Sequence, residues 1–429
     1  MEKLNEDFII NLSNNKGEPL WMKNFRLNSY KKFLELDNPS FGPKINIDFD
    51  NLVYHKGLFA PPSCSWENVD KKVKKTFNDL GVIEAESKYL KGVSNQYESE
   101  VVYHKMEESD GIIFLSTDEA LKKYPELFEK YFNNLVKYDE NKYTALNGAL
   151  WSGGSFIYIP PYTKVDRPLQ SYFRIDTKNL GQFERTIIIV DHDSSLHYIE
   201  GCTAKNYSTT SLHAGVVEIY VGKNSSCKYS TIQNWSKDVY NLVTKRAILE
   251  EGAYMQWVDG NIGSGVTMKY PSCILKGDNS KASSISIAYA KEGQHLDAGA
   301  KMIHLGKNTK STIISKSIAG FGGTSDYRGT VKIAKDAIGS FATIKCDNII
   351  LDNISSSNTY PKNIVENNES TLEHEATISK INEEKLNYLM SLGISEDAAK
   401  DLYVLGFMSD FKKSLPMEYA VELNRLIKE

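Results

Sequence analysis

The sequence has few cysteines and no close cysteine pair. Its five cysteines include no Cys-x-x-Cys arrangement, and they are Cys64, Cys202, Cys227, Cys273 and Cys346. An odd and scattered set argues against a disulfide framework and favours reduced thiols. Residues 1–7 also lack the basic and apolar regions of a signal peptide. These features together predict a cytoplasmic protein.

Long apolar runs and a strong charge bias are absent as well. No run of 18 apolar residues occurs, so we expect no membrane span and no membrane partner. The formal net charge is −4 and the sequence pI is about 6.1. A chain this close to neutral gives no reason to expect nucleic acid as a main partner.

Several catalytic signatures are missing. Both Gly-Lys pairs, at Gly222 and Gly306, are followed by Asn, so the phosphate-binding loop of ATPases is absent. No His-Glu-x-x-His motif occurs and no Gly-x-Ser-x-Gly motif occurs, which removes the signatures of zinc proteases and serine hydrolases. The glycine-rich stretch 260–265 does not lead into a helical pattern, and we interpret it as a turn. The sequence therefore indicates a protein that is not itself an enzyme of these classes.

Residues 1–150 are predicted to be a mixed region in which helices are prominent. Apolar residues at four-residue spacing predict one helix that begins near Trp66 and stops at Gly81. A second helical pattern runs from Asp118 to about Tyr138. Pro125 lies inside it and predicts a break or kink, because proline lacks the backbone N–H that a helix interior needs.

Residues 151–365 consist of short β-rich runs separated by polar turns. Typical runs are 186–190, 216–221 and 329–333, and typical turns are 222–224 and 306–308. No helix-length segment interrupts them, so a βαβ architecture is not expected. The stretch that begins Ile219-Tyr-Val-Gly-Lys-Asn also resembles the one that begins Ile303-His-Leu-Gly-Lys-Asn. This repeat favours a β-solenoid, although a β-sandwich would have similar strands.

Residues 366–429 are predicted to be a C-terminal helical domain, with helical structure from about Glu373 onward. Ser395 is a candidate N-cap for a helix over 397–411, and Pro416 suits the first turn of a last helix through Leu426. The pattern leaves two roles open. These helices either dock a partner or cap the end of the solenoid.

One stretch carries residues that bind transition metals. Cys346 is followed 28 residues later (374 − 346) by the run Glu373-His374-Glu375. Cys and His together favour zinc, copper or iron. The alternative is that Cys346 ends a strand and that the Glu-His-Glu run is a polar surface turn. One Cys and one His alone form an incomplete metal site.

A second candidate thiol is Cys202, at the end of a β run and directly after a glycine. Such a thiol is reactive if it is exposed and a cation lowers its pKa, whereas the alternative is an ordinary core cysteine. Polar residues also recur on the neighbouring β runs. In a coiled stack they would line an interior path, and otherwise they reflect ordinary strand alternation; they are Arg174, Thr231, Gln233, Trp235 and Lys245.

Long stretches of the chain resemble the SufBD family of iron–sulfur cluster assembly scaffolds, in particular its SufB branch. The matching residues include Trp151-Ser-Gly-Gly-Ser-Phe-Ile-Tyr-Ile-Pro-Pro, Glu200-Gly-Cys-Thr-Ala, Lys269-Tyr-Pro-Ser-Cys-Ile-Leu-Lys-Gly-Asp-Asn-Ser and Leu372-Glu-His-Glu-Ala-Thr-Ile-Ser-Lys-Ile. The resemblance extends from about residue 60 onward. It implies a mainly β fold, with a right-handed parallel β-helix core between an N-terminal α/β helical region and a C-terminal helical domain.

The resemblance also implies roles for individual residues. Cys346 matches the cysteine on which a nascent iron–sulfur cluster is built, with Glu373, His374 or Glu375 as co-ligand. Cys202 matches the cysteine that accepts persulfide sulfur from a cysteine desulfurase and its shuttle. The polar residues matching the family's sulfur path are Arg174, Thr231, Gln233, Trp235 and Lys245. Asp176 stands where Asn is common in the family, which is a departure from the family's pattern.

The implied partners are a SufC-type ATPase, docked by the C-terminal helices, and a second scaffold subunit. That subunit is either a SufD-type paralogue or a second copy of this chain, and the sequence leaves open both the cluster type and the binding of a reduced flavin. Two other functions remain as alternatives. One is a SufD-like supporting subunit that holds no cluster, and the other is a β-helix polysaccharide lyase or hydrolase, for which the β region lacks a concentrated group of acids.

Overall fold

The computed structural model describes residues 3–414 except Leu58, Gly81, 108–110 and 206–209. The predicted last helix, from Pro416 through Leu426, lies outside the described residues. The ten α-helices of the described part are α1 Glu6–Lys16, α2 Leu20–Glu35, α3 Lys71–Asp79, α4 Val82–Tyr89, α5 Thr117–Lys123, α6 Pro125–Tyr131, α7 Lys142–Leu150, α8 Glu383–Ser391, α9 Glu396–Phe407 and α10 Ser409–Ser414.

The strands account for most of the chain between residues 92 and 380. In chain order they are β1 Gly92–Tyr97, β2 Glu100–Met106, β3 Ile113–Ser116, β4 Ser155–Ile159, β5 Leu169–Ile175, β6 Gly181–Gln182, β7 Arg185–Val190, β8 Ser195–Ala204, β9 Ser211–His213, β10 Val216–Val221, β11 Ser226–Trp235, β12 Val239–Leu249, β13 Tyr254–Gly263, β14 Val266–Lys269, β15 Ser272–Leu275, β16 Lys281–Ala290, β17 His295–His304, β18 Lys310–Ala319, β19 Thr324–Ile333, β20 Phe341–Ile350, β21 Ser356–Val365 and β22 Thr371–Lys380.

These strands form two facing sheets of a β-solenoid. The first sheet has the order β2-β1-β5-β8-β11-β13-β16-β18-β20-β22, and the main path of the second has the order β21-β19-β17-β14-β12-β10-β7-β4-β3. Successive strands within each sheet are parallel, except for the antiparallel pairs β1–β2 and β3–β4. The predicted mainly β fold with a parallel β-helix core is thereby confirmed, as a solenoid of about eight turns.

The two Gly-Lys-Asn turns and the related Gly277-Asp278-Asn279 turn stack at one corner of the solenoid. Asn224, Asn279 and Asn308 each have a left-handed backbone, with φ between 54° and 61°. Asparagine adopts this conformation more readily than most residues, which explains why it recurs here. Each of these asparagines donates its backbone N–H to a carbonyl of the next coil, with N–O distances of 2.8–2.9 Å. The repeat seen in the sequence is thus a set of stacked turns.

Helices cover parts of both sheets. In the N-terminal region, α1, α2 and α7 share an apolar cluster with residues of the second sheet, such as Leu242 and Met268. The C-terminal helices pack on the outer face of the first sheet, where Met408 and Phe411 join Ile287 and Ile318. The C-terminal helices therefore lie along the side of the solenoid. The sequence alone left open whether they would instead cap its end.

The helix boundaries follow local sequence signals. The predicted break at Pro125 is confirmed, because α5 ends at Lys123 and Pro125 begins α6. Ser395 is the N-cap of α9, as predicted, and its side chain accepts a hydrogen bond from the backbone N–H of Ala398. The helix predicted from Trp66 begins later, at Lys71, where Asp70 caps its first turn.

Two predictions of local structure are wrong. Helical structure was predicted from about Glu373, but residues Thr371–Lys380 form strand β22 and the first C-terminal helix begins at Glu383. The stretch 260–265 was predicted to be a turn, but Gly260–Gly263 forms the end of β13 and only the following residues turn. Both segments align with a neighbouring strand, and this pairing decides their conformation.

Candidate functional site

Cys346 lies on the inward face of β20, the second-to-last strand of the first sheet. The side chains of β20 alternate, and Ile344 and Cys346 are buried in the solenoid interior whereas Lys345 is exposed. Only β22 follows β20 in this sheet. The thiol is therefore fully buried, yet it lies one coil from the end of the solenoid.

His374 is the residue of the Glu-His-Glu run that faces this thiol. In the parallel register His374 is opposite Ile344, so its side chain points to the same inward side as Cys346. The distance between His374 Nε2 and Cys346 Sγ is 3.9 Å. Burial lowers the pKa of His374 and favours the neutral imidazole, which is the form that binds a metal.

Asn363 on β21 holds the other side of the imidazole. Its Nδ2 atom is 3.1 Å from His374 Nδ1, so the two residues join the last strands of the two sheets. An asparagine amide can donate to Nδ1 or, turned over, accept a proton from it. The second orientation leaves the lone pair of Nε2 directed at the Cys346 thiol, as a metal ligand requires.

Tyr327 of β19 contacts Cys346 from the second sheet. Burial raises the pKa of Cys346 to about 12, although the nearby Tyr327 hydroxyl acts in the opposite direction. The pKa of Tyr327 lies well above its usual value, mainly because the ring is buried and then because of the thiol. A Cβ atom at Gly329 would lie 2.4 Å from the tyrosine hydroxyl, so the glycine makes room for it.

The side chains of Glu373 and Glu375 project from the outer face of β22, whereas Cys346 lies on the inner side of the sheet. Glu375 is aligned with Lys345, and their charged groups are 3.8 Å apart at the surface. The Glu375 side chain is 65% exposed. Within this chain, the structure therefore brings His374 to Cys346 and directs both glutamates outward.

Cys202 lies on the inward face of β8, far from the surface. It is fully buried, as the alternative of a core cysteine implies. The pKa of Cys202 is well above its usual value, because of burial and then because of the carboxylate of Glu200. Its Sγ atom is 3.7 Å from Glu200 Oε1, and the ammonium of Lys245 is 3.1 Å from the same oxygen. Lys245 is thus joined to Cys202 through one buried carboxylate.

Thr231 and Gln233 lie on β11, in register with Glu200 and Cys202 respectively. The Thr231 hydroxyl donates to the carboxylate of Asp259. Gln233 accepts a hydrogen bond from Lys269 at 3.1 Å, and Lys269 also pairs with Asp259 at 2.9 Å. Both path residues therefore belong to a buried ionic network.

Sequence reasoning missed the charged members of this network. Glu200, Asp259 and Lys269 are at most 2% exposed, and they are acids and a lysine at inward positions of β runs. That pattern is a signal in the sequence, because an unpaired charge is rarely buried in a strand. Asn241 extends the network by donating to Gln233 at 2.7 Å and contacting His213.

Arg174 and Trp235 lie near the same end of their strands, beside a surface cavity of about 480 Å³. Arg174 pairs with Asp176 at 2.6 Å and donates to the Thr203 hydroxyl at 3.0 Å. Thr203 follows Cys202 directly and also lines the cavity. The cavity therefore opens beside the residue that follows the buried thiol in the chain.

The two thiols lie in one sheet at different levels of the solenoid. The strand order β8-β11-β13-β16-β18-β20 separates them by five steps. At about 4.8 Å per step the backbones are roughly 24 Å apart. The structure thus does not bring Cys202 and Cys346 together, and the residues between them are those of the solenoid interior.

Two features are absent from the described residues. No group of three or more His, Cys, Asp and Glu side chains there is arranged to hold a metal ion. None of the helices in the same part of the chain is long and apolar enough to cross a membrane.

The fold and these side chains define a parallel β-helix protein with a thiol and an imidazole at its open end. The model of the SufBD core domain of the SUF system for FeS cluster assembly matches residues 173–407, and that of the SufBD protein N-terminal region matches residues 67–171. The chain is 53% identical over 429 residues to the iron–sulfur cluster assembly protein SufB of Bacillus subtilis, covering 99% of this chain and 92% of that protein. It is 54% identical, with the same coverage, to SufBD family proteins of Staphylococcus saprophyticus and Staphylococcus aureus. The chain therefore belongs to the SufBD family.

Proposed function

We propose that this chain is a cytoplasmic scaffold that accepts persulfide sulfur at Cys202 and builds a nascent iron–sulfur cluster at Cys346 with His374. The observation that carries the proposal is the 3.9 Å approach of the imidazole to a buried thiol, in a member of a cluster assembly family. The cluster is the cargo of this site. It is assembled here and then passed on.

The ligand chemistry supports a transient site. Thiolate sulfur binds iron–sulfur clusters, and a histidine in place of a thiolate is known among their ligands. Because Cys346 is a neutral thiol at physiological pH, iron binding must displace its proton. A site that must lose a proton before it binds releases its cargo more easily than a preformed thiolate site does. Easy release of the bound cluster suits a scaffold that passes the cluster on.

The open end of the solenoid supports a partner at this site. β21 and β22 are the last strands of their sheets, and each has one hydrogen-bonded neighbour among the described residues. Unpaired strand edges are surfaces on which another chain can add its strands. Cys346 and His374 alone are two ligands, so a second scaffold subunit docked here would supply the others. That subunit is a SufD-type paralogue or a second copy of this chain.

The cavity beside Arg174 and Trp235 supports sulfur entry near Cys202. It opens next to Thr203, and its lining contains the cationic side chains of Arg174 and Lys237. A persulfide brought by a cysteine desulfurase and its shuttle would approach as an anion, which cationic side chains attract. Because Cys202 is buried, this transfer requires a local opening of β8 or of its neighbours.

The C-terminal helices offer an apolar surface for a SufC-type ATPase. Tyr388 of α8, Leu392 after it and Leu402 of α9 are large apolar side chains that are 64%, 61% and 48% exposed. The two helices pack against each other, and large exposed apolar side chains on neighbouring helices are typical of a protein interface. ATP-driven motion of the docked partner would be transmitted to the first sheet, on which these helices pack.

The Leu402→Glu variant is expected to lose most of its co-purifying ATPase. Its thermal stability should not change, because the side chain is half-exposed. Leu34→Glu on α2 is the matched control, since Leu34 is 63% exposed but lies on a different helix. Equal recovery of the ATPase with both variants would contradict docking on α9.

The experiment that tests the proposed function compares the parent chain with Cys346→Ser, each isolated anaerobically after co-expression with the ATPase. Iron, acid-labile sulfide and the visible spectrum are measured. We expect at least a ten-fold loss of both elements in Cys346→Ser. Cys273→Ser is the control, because Cys273 is equally buried but contacts Trp257 and not the proposed site. Equal cluster content in all three chains would favour the SufD-like supporting role.

A further inference from the structure

Both sheets carry apolar side chains on their outer faces, and helices of this chain cover part of each. On the first sheet, the outward residue Ile287 shares an apolar cluster with Phe411 of α10. On the second sheet, the outward residue Tyr220 of β10 is covered by α6. Its ring centre is 4.7 Å from that of Tyr131, the last residue of α6. An outer apolar face of this solenoid is therefore a surface on which helices pack.

Beyond Tyr220 the outward apolar positions of the second sheet continue toward the open end of the solenoid. The parallel register places four isoleucines and one lysine in line with Tyr220, and in order they are Ile248, Ile274, Ile303, Lys332 and Ile364. We call this line the isoleucine row. Its isoleucines are partly exposed, and no helix of the described part shares an apolar cluster with them. Leu305, two residues after Ile303, is 44% exposed and widens this uncovered apolar face.

A second outward line runs beside the isoleucine row, two residues earlier on each strand. Its aligned members are Arg246, Ser272, Lys301, Thr330 and Lys362, and we call this line the basic row. Arg246 is paired with Glu140 at 2.7 Å. Within the part of the chain that the structure describes, Lys301 and Lys362 form no ion pair. The uncovered apolar face is thus bordered by cations that are only partly neutralised.

Lys301 is the member of the basic row that most needs an anionic partner. It is partly buried. Burial and then the charge of Arg246 lower the pKa of Lys301, and the carboxylate of Glu140 acts in the opposite direction without outweighing them. A cavity of about 440 Å³ lies beside Lys301 and is also lined by Ser272 and Phe41. A carboxylate side chain inserted into this cavity would provide the missing counter-ion.

The spacing of the isoleucine row fits an α-helix that crosses the strands. Adjacent strands are about 4.8 Å apart, and one turn of an α-helix advances about 5.4 Å. One helical residue per turn can therefore contact each member of the row. From Ile248 to Ile364 the row spans four strand steps, or roughly 19 Å, which corresponds to about 13 helical residues. Acidic residues along one edge of that apolar stripe would lie over Lys301 and Lys362.

We propose that the isoleucine row and the basic row together form the docking site of an acidic amphipathic helix supplied by a partner protein. The isoleucines provide apolar contact, and the lysines fix the position and orientation of the helix. A basic helix would meet like charges at Lys301 and Lys362, which is unfavourable. This site lies on the outer face of the second sheet, so the inference does not depend on cluster assembly at Cys346.

The first experiment identifies the occupant by photo-crosslinking in cells that make the complete assembly. The photoreactive amino acid p-benzoylphenylalanine is placed at Ile303, and the crosslinked peptides are sequenced by mass spectrometry. We expect a segment of another protein that has apolar residues at helical spacing and an excess of Asp and Glu. The same amino acid placed at Leu34, which is 63% exposed on α2, is the control and should not capture that segment. A crosslink to a second copy of this chain or to a basic segment, or the lack of any crosslink, would overturn the proposal.

The second experiment measures charge pairing on the full chain in complex with its co-expressed partners. The probes are two fluorescein-labelled amphipathic peptides with leucines on one face, one with Glu and one with Lys beside the leucines, and binding is followed by fluorescence anisotropy. Lys301→Glu is expected to weaken binding of the Glu peptide at least five-fold and to strengthen binding of the Lys peptide. Ile303→Ser is expected to weaken binding of both. Lys223→Glu, at an exposed lysine elsewhere on the solenoid, is the control and should bind both peptides like the parent.

Folding of the variants is checked by their thermal unfolding and by the amount of co-purifying ATPase, which should equal that of the parent. If Lys301→Glu does not fold, Lys362→Glu replaces it, because the Lys362 side chain is exposed. Equal affinity of the parent and the folded charge variant for the Glu peptide would overturn the basic row as a docking element. Equal affinity of the parent and Ile303→Ser would overturn the isoleucine row.

Discussion

The Lys245→Met variant is expected to have a free energy of unfolding about 3–5 kcal/mol below that of the parent. Lys245 is buried and pairs with the buried carboxylate of Glu200 at 3.1 Å. Without the ammonium group, that carboxylate remains in the solenoid interior with an uncompensated charge. Chemical denaturation followed by circular dichroism measures the change.

Two further variants show whether burial is the cause. The double variant Glu200→Gln with Lys245→Met removes both charges and should recover most of the lost stability. Lys223→Met removes a lysine from an ion pair of similar length, 2.8 Å to Glu251, in which both side chains are 54% exposed. This surface variant should unfold like the parent, since solvent screens such pairs. Similar unfolding of Lys245→Met and Lys223→Met would contradict the buried ionic network.

The His374→Ala variant is expected to lose iron at the Cys346 site, with at least a ten-fold fall in iron and labile sulfide per chain. Its imidazole is the group of the Glu-His-Glu run that faces the thiol. Glu375→Gln is the matched comparison, because it changes the next residue of the same strand on the opposite face. Its cluster content should equal that of the parent.

The reverse result would be equally informative. If Glu375→Gln lost the cluster and His374→Ala kept it, then β22 would have to present its outer face to the cargo. Such a change would break the Lys345–Glu375 contact and the alignment of His374 with Ile344. Metal analysis of both variants, isolated with the same partners, distinguishes the two cases.

Much of the solenoid could be predicted from local sequence signals. Short β-rich runs between polar turns indicated the strands. The Gly-Lys-Asn repeat indicated coils, because the stacked turns have a left-handed residue at the same corner. The strand at Thr371–Lys380 was missed. Its outward residues are polar or charged and its inward residues are partly covered or exposed, so it lacks the apolar alternation of an interior strand.

The geometry of the site was harder to predict. Cys346 and His374 are 28 residues apart, and only the register of β20 with β22 shows that His374 faces the thiol. The same register places Glu375 outside, which motif matching does not reveal. The partners of Lys245 were missed for a similar reason. Glu200 lies on β8 in the other sheet, and nothing local in the sequence connects the two residues.

The position of the cluster site has a thermodynamic consequence. The last coil is held by neighbours on one side only, so β22 is expected to detach more easily than the interior strands of the first sheet. Iron bound by both Cys346 and His374 would tie β22 to β20. The binding of iron and the ordering of β22 are then thermodynamically linked, so each stabilises the other. A partner that pulls the last coil away from β20 would weaken metal binding by the same free energy, and cargo release would need no competing ligand.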